Sequence, residues 1–242
     1  MLGRLQSEVL YCMSIVLQRE NRISRPFLGK IVYGVDMVRL VRLVMVVAIG
    51  SGLLARPTWA VQPIDENYVR SLAAPGKVVL VIEYYEGQGE VLERKGYATS
   101  GSFEVLSGTD FRVHDTMVIH LYGVEPCEGE MVNRRDGFAG RCIDFARQQL
   151  AIMLKNPKVV FCRAFFTETN APIQNATCYA YHYFPGSLDS IDMFEEQLVS
   201  LGALRLIKKP DGTLARPDLK PAEEIGKNGS FGMWADPGAG QR

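Results

Sequence analysis

Short apolar runs separated by turn residues dominate the chain beyond residue 77, and helical periods break into them further along. Met117 to Tyr122 reads as a β-strand that breaks at Gly123 and delivers two carboxylates, Glu125 and Glu128, onto the loop past its end. Loops at strand ends, held by a rigid sheet, are where sites are commonly built. Lys77 to Tyr85 is rich in Val, Ile and Tyr and predicts a strand. Gly87-Gln88-Gly89 then turns into the charged segment Glu90 to Lys95, which suggests a hairpin or an edge addition. Ser102 to Leu106, Phe111 to Val113 and Met117 to Tyr122 are divided by Ser-Gly-Thr-Asp and His-Asp-Thr clusters and predict a three-stranded meander. Lys158 to Phe166 and Thr177 to Tyr183 predict a second hairpin.

The helical periods are fewer. In Phe138 to Asn156 the residues Cys142, Phe145, Ala146, Gln149, Leu150 and Met153 recur at three- and four-residue steps, and Pro157 stops the run. A second helix is expected from Asp189, a capping residue, to Gly202, and a short last one opens at Pro221. Leu204 to Ile207 is extended between them. Five strands around two or three helices predict an α+β chain built on a small closed or partly open β-barrel of the oligonucleotide/oligosaccharide-binding (OB) type.

Composition changes this picture mainly at the front. At 242 residues and 47% hydrophobic the chain can bury a sizeable core. Its net charge is zero, but 8 of the 27 basic and 3 of the 27 acidic residues precede Val61, leaving 19 against 24 and a net −5 for 61–242. That sign opposes sequence-independent nucleic-acid binding, which rests on Lys and Arg neutralising phosphates. Arg39 and Arg42, the uncharged Leu43 to Ala55 and the small residues Thr58 and Ala60 are the three parts of a secretory signal peptide over 37–60. A membrane anchor is the competing expectation, against which the uncharged run is short of the roughly 20 residues that span a bilayer. Translation then starts more naturally at Met37, and 1–36 form an upstream extension. Residues 61–96 are a lead-in, 97–236 the domain and 237–242 a tail. The expected location is periplasmic or secreted, with no stable membrane insertion after cleavage.

Export alters how the cysteines read. Cys127, Cys142, Cys162 and Cys178 follow the signal, and an even number in an oxidising compartment suggests disulfides, with three pairings open. No C-x-x-C pair supports a zinc site, and no serine-hydrolase elbow, phosphate-binding loop or dinucleotide fingerprint occurs. His114, His120 and His182 stand singly. Tyr179, Tyr181 and Tyr183 share one face by their period of two; packing is the main expectation, a stacking platform with Phe184 the other.

Five pieces, in order, resemble the thermonuclease (staphylococcal nuclease-like) family over residues 100 to 235. They are Ser107-Gly108-Thr109-Asp110, His120 to Glu128, Asn175 to Tyr181, Glu196 to Leu204, and Ala222-Glu223-Glu224 leading to Phe231-Gly232-Met233-Trp234. The resemblance implies a metal-dependent endonuclease fold. It implies calcium held at the positions of Thr109 or Asp110 and Glu125, a Glu at 128 that assists attack of water on phosphorus, and phosphate clamps at His120 and Asn175. In this arrangement Cys127 can meet Cys142, and Cys162 can meet Cys178 across paired strands.

The departures have chemical meaning. Thr109 stands where the family has a metal-holding Asp, and His120 and Asn175 stand where it has arginines. Permanently charged, bidentate donors stabilise the developing charge in a way that a neutral amide cannot. Two such losses, at roughly 3 kcal/mol each, slow turnover about 10⁴-fold. Arg163 on a neighbouring strand is the conceivable replacement, with a solvated edge position as its other expected role. Two functions follow: a non-catalytic exported domain that binds a protein, glycan or nucleic-acid ligand on its barrel, or a calcium-dependent phosphodiesterase with a remodelled site. An Arg within reach of Glu128 would favour the enzyme; an apolar or acidic groove there would favour the binder.

Overall fold

A computed structural model describes residues 64–236 apart from 88, 185, 187 and 188; the expected extension, signal peptide and tail lie outside the described residues. The chain is α+β. Asp65 caps helix α1 (Glu66–Ser71) by accepting the Tyr68 N–H at 3.1 Å. Strands β1 (Val78–Glu86) and β2 (Glu90–Thr99) follow, then β3 (Glu104–Val105), β4 (Asp110–His114), β5 (Met117–Leu121) and β6 (Val124–Glu125). A small hairpin, β7 (Glu130–Asn133) with β8 (Phe138–Arg141), leads into helix α2 (Cys142–Leu154). Strands β9 (Val159–Phe165), β10 (Ile173–His182) and β11 (Ser190–Met193) precede helix α3 (Phe194–Ser200), strand β12 (Arg205–Leu206) and helix α4 (Lys220–Gly229).

Eight strands make one mixed sheet in the order β2-β1-β9-β10-β5-β4-β3, with β11 on the distal part of β10. The pairs β1–β9 and β10–β5 are parallel and the rest antiparallel. The expected hairpin is there, and it explains why the expected five-stranded barrel does not close. Both edges of β9 are taken, one by β10 and the other by β1, and β2 and β3 end the sheet on opposite sides.

Period-two burial divides the sheet into two faces. On one, Ile82, Cys162, Ala176, Cys178, Ile119 and Phe111 pack with Phe145 and Leu150 of α2 and Leu198 of α3 into the main core. On the other, α1 sets Val69 against Val81, Val159, Phe161, Tyr179 and Tyr181. This second layer is why β1 reads as a near-continuous apolar run, and it buries Tyr179 and Tyr181, so these two tyrosines pack and offer no stacking platform.

Two boundaries differ from expectation for the same reason. Phe138–Arg141 forms β8 ahead of α2, and Ser190–Met193 forms β11 ahead of α3; in both, ladder pairing with a neighbouring strand overrides a helical period. Asp189 consequently caps no helix and instead accepts the Arg70 side chain at 2.8 Å. Both expected disulfides form. Cys127–Cys142 ties the loop after β6 to the first residue of α2, and Cys162–Cys178 joins facing positions of β9 and β10. Among the described residues no helix is long and apolar enough to cross a membrane.

Candidate functional site on the outer face of the sheet

The turn before β4 is wound around one hydroxyl. Ser107 Oγ accepts the N–H groups of Thr109 and Asp110, both at 3.0 Å, and its own O–H donates to the Asp110 carboxylate. Thr109 is buried, its carbonyl accepting the Leu121 N–H at 2.8 Å and its hydroxyl donating to Asp110 at 3.2 Å. Asp110 faces His120 across the β4–β5 ladder, with Nδ1 2.7 Å from Oδ1. Burial pushes the Asp110 carboxyl up, but the hydrogen bonds of His120 and Ser107 outweigh it and hold the group below the usual carboxylate range.

The next strand continues the row. Asn175 is the β10 partner of His120, and both its backbone N–H and its side-chain amide donate to Glu168, at 3.0 and 3.2 Å. Asp110, His120 and Asn175 thus stand side by side on three adjacent strands, on the face opposite the main core. The loop carboxylates sit elsewhere. Glu125, on β6, pairs in register with Arg205 of β12, whose Nε lies 3.2 Å away. Glu128 is 82% exposed, 3.9 Å from Arg205 Nη2. Gly123 makes the exit possible: its φ of +78° suits glycine, and a Cβ there would stand 2.5 Å from Arg216 Cγ.

Calcium prefers six to eight oxygen ligands, several of them carboxylate. Among the described residues no three His, Cys, Asp or Glu side chains gather as a metal cluster, and Asp110 and Glu125 each have a partner of their own. The residues at these positions do not fit the ion.

Beyond Asn175, the outer face carries residues that sequence reasoning passed over or misplaced. Arg163 is neither a solvated edge residue nor an open clamp. It lies on central β9, nearly buried, with Nε 3.2 Å from Glu83 and its guanidinium 4.9 Å from the Tyr85 ring centre. Arg94 holds the same Glu83 from β2 at 3.0 Å. Tyr85 pairs in register with Phe165, their ring centres 4.8 Å apart, and Phe165 is 53% exposed. Arg216 closes the lower end, donating to Thr177 at 3.0 Å and to Asp218 at 2.7 Å while lying 3.9 Å from Glu195.

Glu195 is fully buried. Its Oε2 accepts the Cys178 N–H at 3.4 Å, and burial pushes the carboxyl up to about 8 against the pull of Arg216. Burial, with Glu195 beside it, drives the Tyr179 hydroxyl up to about 12. No short-range signal marks Glu195 and Arg216 as partners, because 21 residues separate them. Arg205 had one faint signal, standing directly after the Gly202-Ala203-Leu204 piece.

No protein-family model matches the chain, and no curated protein does. The chemistry therefore rests on these residues alone. The face offers fixed ion pairs and amide–carboxylate pairs flanked by two aromatic rings. It can hydrogen-bond and stack, but each cation described on it already has an acidic partner.

Proposed function

We infer that the chain is an exported, non-catalytic domain of the thermonuclease-like type that binds a ligand on the outer face of its sheet. The fold supports the type: β9, β10, β5, β4 and β3 are five consecutive strands of the sheet, with α2 crossing between β5 and β9, as an opened OB-type barrel would have them. Two disulfides suit the oxidising compartment to which the segment 37–60 would direct the chain.

The observation that carries the non-catalytic reading is that the chain's own carboxylates occupy the groups that would hold a phosphodiester. His120 is taken by Asp110, Asn175 by Glu168, and Arg205 by Glu125 and Glu128. A phosphate entering here has to displace a carboxylate at each point, with like charge opposing it.

One observation favours the phosphodiesterase. Arg205 lies within reach of Glu128, as a clamp beside the assisting carboxylate would. A gel nuclease assay with and without calcium separates the two. The binder leaves DNA and RNA intact in both lanes. The enzyme cleaves with calcium and loses cleavage in both Glu128→Gln and Arg205→Ala.

A further inference from the structure

The outer face combines two features that single out one kind of ligand: its polar side chains are already paired with one another, and Phe165 stands exposed beside them. From β4 to β1 it crosses five strands, about 19 Å at about 4.8 Å per strand spacing. At one end Asp110 and His120 form a pair; in the middle stand Asn175 and Glu168; at the other end are Arg163 with Glu83 and the rings of Tyr85 and Phe165, tilted against each other by 39°. Register fixes the strand residues among them to one side of a rigid sheet, and Glu168, in the turn after β9, is held there by Asn175, so they are positioned before any ligand arrives.

We propose that this face is an oligosaccharide-binding site for a neutral chain of three or four sugar units, which packs on the exposed ring of Phe165 and hydrogen-bonds along the row Asn175, His120 and Asp110. The proposal rests on the reading of the chain as a non-catalytic binder and names its ligand class. Hydroxyl groups are the one common chemistry that the paired charges accept without being broken apart. A carboxylate has about four lone-pair sites and a guanidinium five N–H donors, so each retains capacity after pairing with the other. A hydroxyl donates to the first and accepts from the second. An anionic ligand has to compete with Asp110, Glu168 and Glu83 for the same donors, and a cationic one with His120 and Arg163 for the same acceptors. Nucleic acid could stack on Phe165, but single strands are held in positively charged grooves, and on this face Arg163 and Arg94 are both held by Glu83 while Asp110 and Glu168 add negative charge. The apolar faces of a sugar ring meet aromatic faces, and Phe165 and Ile173 are both exposed to receive them.

The test is calorimetric titration of the full chain with neutral tetrasaccharides (β-1,4-glucan, α-1,4-glucan and β-1,4-linked N-acetylglucosamine) and with tetrathymidylate, calcium-dependent DNA hydrolysis being measured on the same samples. At least one sugar should bind with Kd below about 1 mM, and Phe165→Ala and Asn175→Ala should each weaken it about tenfold with the melting temperature kept. Ile152→Ala, at an exposed position of α2, should leave it unchanged. Absence of sugar binding, binding of tetrathymidylate alone, or sugar binding indifferent to both outer-face variants would overturn the proposal. The hydrolysis arm stands apart: cleavage lost in Glu128→Gln would instead remove the non-catalytic reading beneath it.

Discussion

Replacing Glu195 with glutamine should stabilise the protein, and by more as the pH rises. Glu195 has no exposed surface, its Oε1 has no hydrogen-bond partner, and Arg216 is 3.9 Å away, too far to offset the loss of hydration. The carboxyl therefore titrates at about 8 in the fold against an ordinary 4.5. A folded value above the unfolded one means that the stabilisation is fully present below 4.5 and is lost as pH rises through 8. At roughly 1.4 kcal/mol per unit, that window spans on the order of 5 kcal/mol, most of it already lost by neutral pH. The substituted amide would keep the shape and can still accept the Cys178 N–H, and Arg216 retains Thr177 and Asp218. Urea denaturation of oxidised wild type and Glu195→Gln at pH 4.5, 6, 7.5 and 8.5 reads the effect. The two should be close at pH 4.5 and diverge upward. A constant difference, or a variant weaker than wild type at pH 8.5, would refute the burial argument.

Other expectations follow from the same contacts. Asp110 is held below its ordinary value, so its contribution is present above that value and lost as pH falls; Asp110→Asn should flatten the acid limb of the stability curve in the same denaturation series. Gly123→Ala places a Cβ at a left-handed φ and against Arg216, and should lower unfolding free energy on the order of 2–4 kcal/mol, measured by urea midpoint. Joint replacement of Cys162 and Cys178 by alanine should destabilise by about 3 kcal/mol, and thiol titration of the unfolded, unreduced exported wild type should find none of the four cysteines free. Mass spectrometry of exported protein should give a first residue of Val61; retention of 37–60 would make that segment an anchor.

What the sequence revealed was local. The strand Met117–Leu121, the hairpin of β1 and β2 and the step from Pro221 into α4 depend on neighbours a few residues away, and each stands where its pattern put it. Cys162 and Cys178 could be paired because adjacent strands bring facing positions together. Phe138–Arg141 and Ser190–Met193 were misread because they continue the period of the helices after them, and only ladders to β7 and β10 make them strands. The parallel joining of β1 to β9 spans some 80 residues and leaves no local trace, so the barrel looked closable. The site divided the same way. Asp110, His120 and Asn175 were singled out only through the resemblance to the thermonuclease family; what the ladders add is that the three stand side by side. Glu168, Glu83, Arg205, Arg216 and Glu195 acquire their roles only through tertiary contact.

The central claim is that the phosphodiester-holding positions are closed by the chain's own carboxylates, and it meets its most direct test in the rate of calcium-dependent DNA hydrolysis by wild type and Glu128→Gln side by side. Loss of the clamping donors predicts turnover at least about 10³-fold below that of an intact thermonuclease, and no difference between the two proteins. Rapid cleavage by wild type that disappears in Glu128→Gln would contradict the account and leave a working phosphodiesterase in its place.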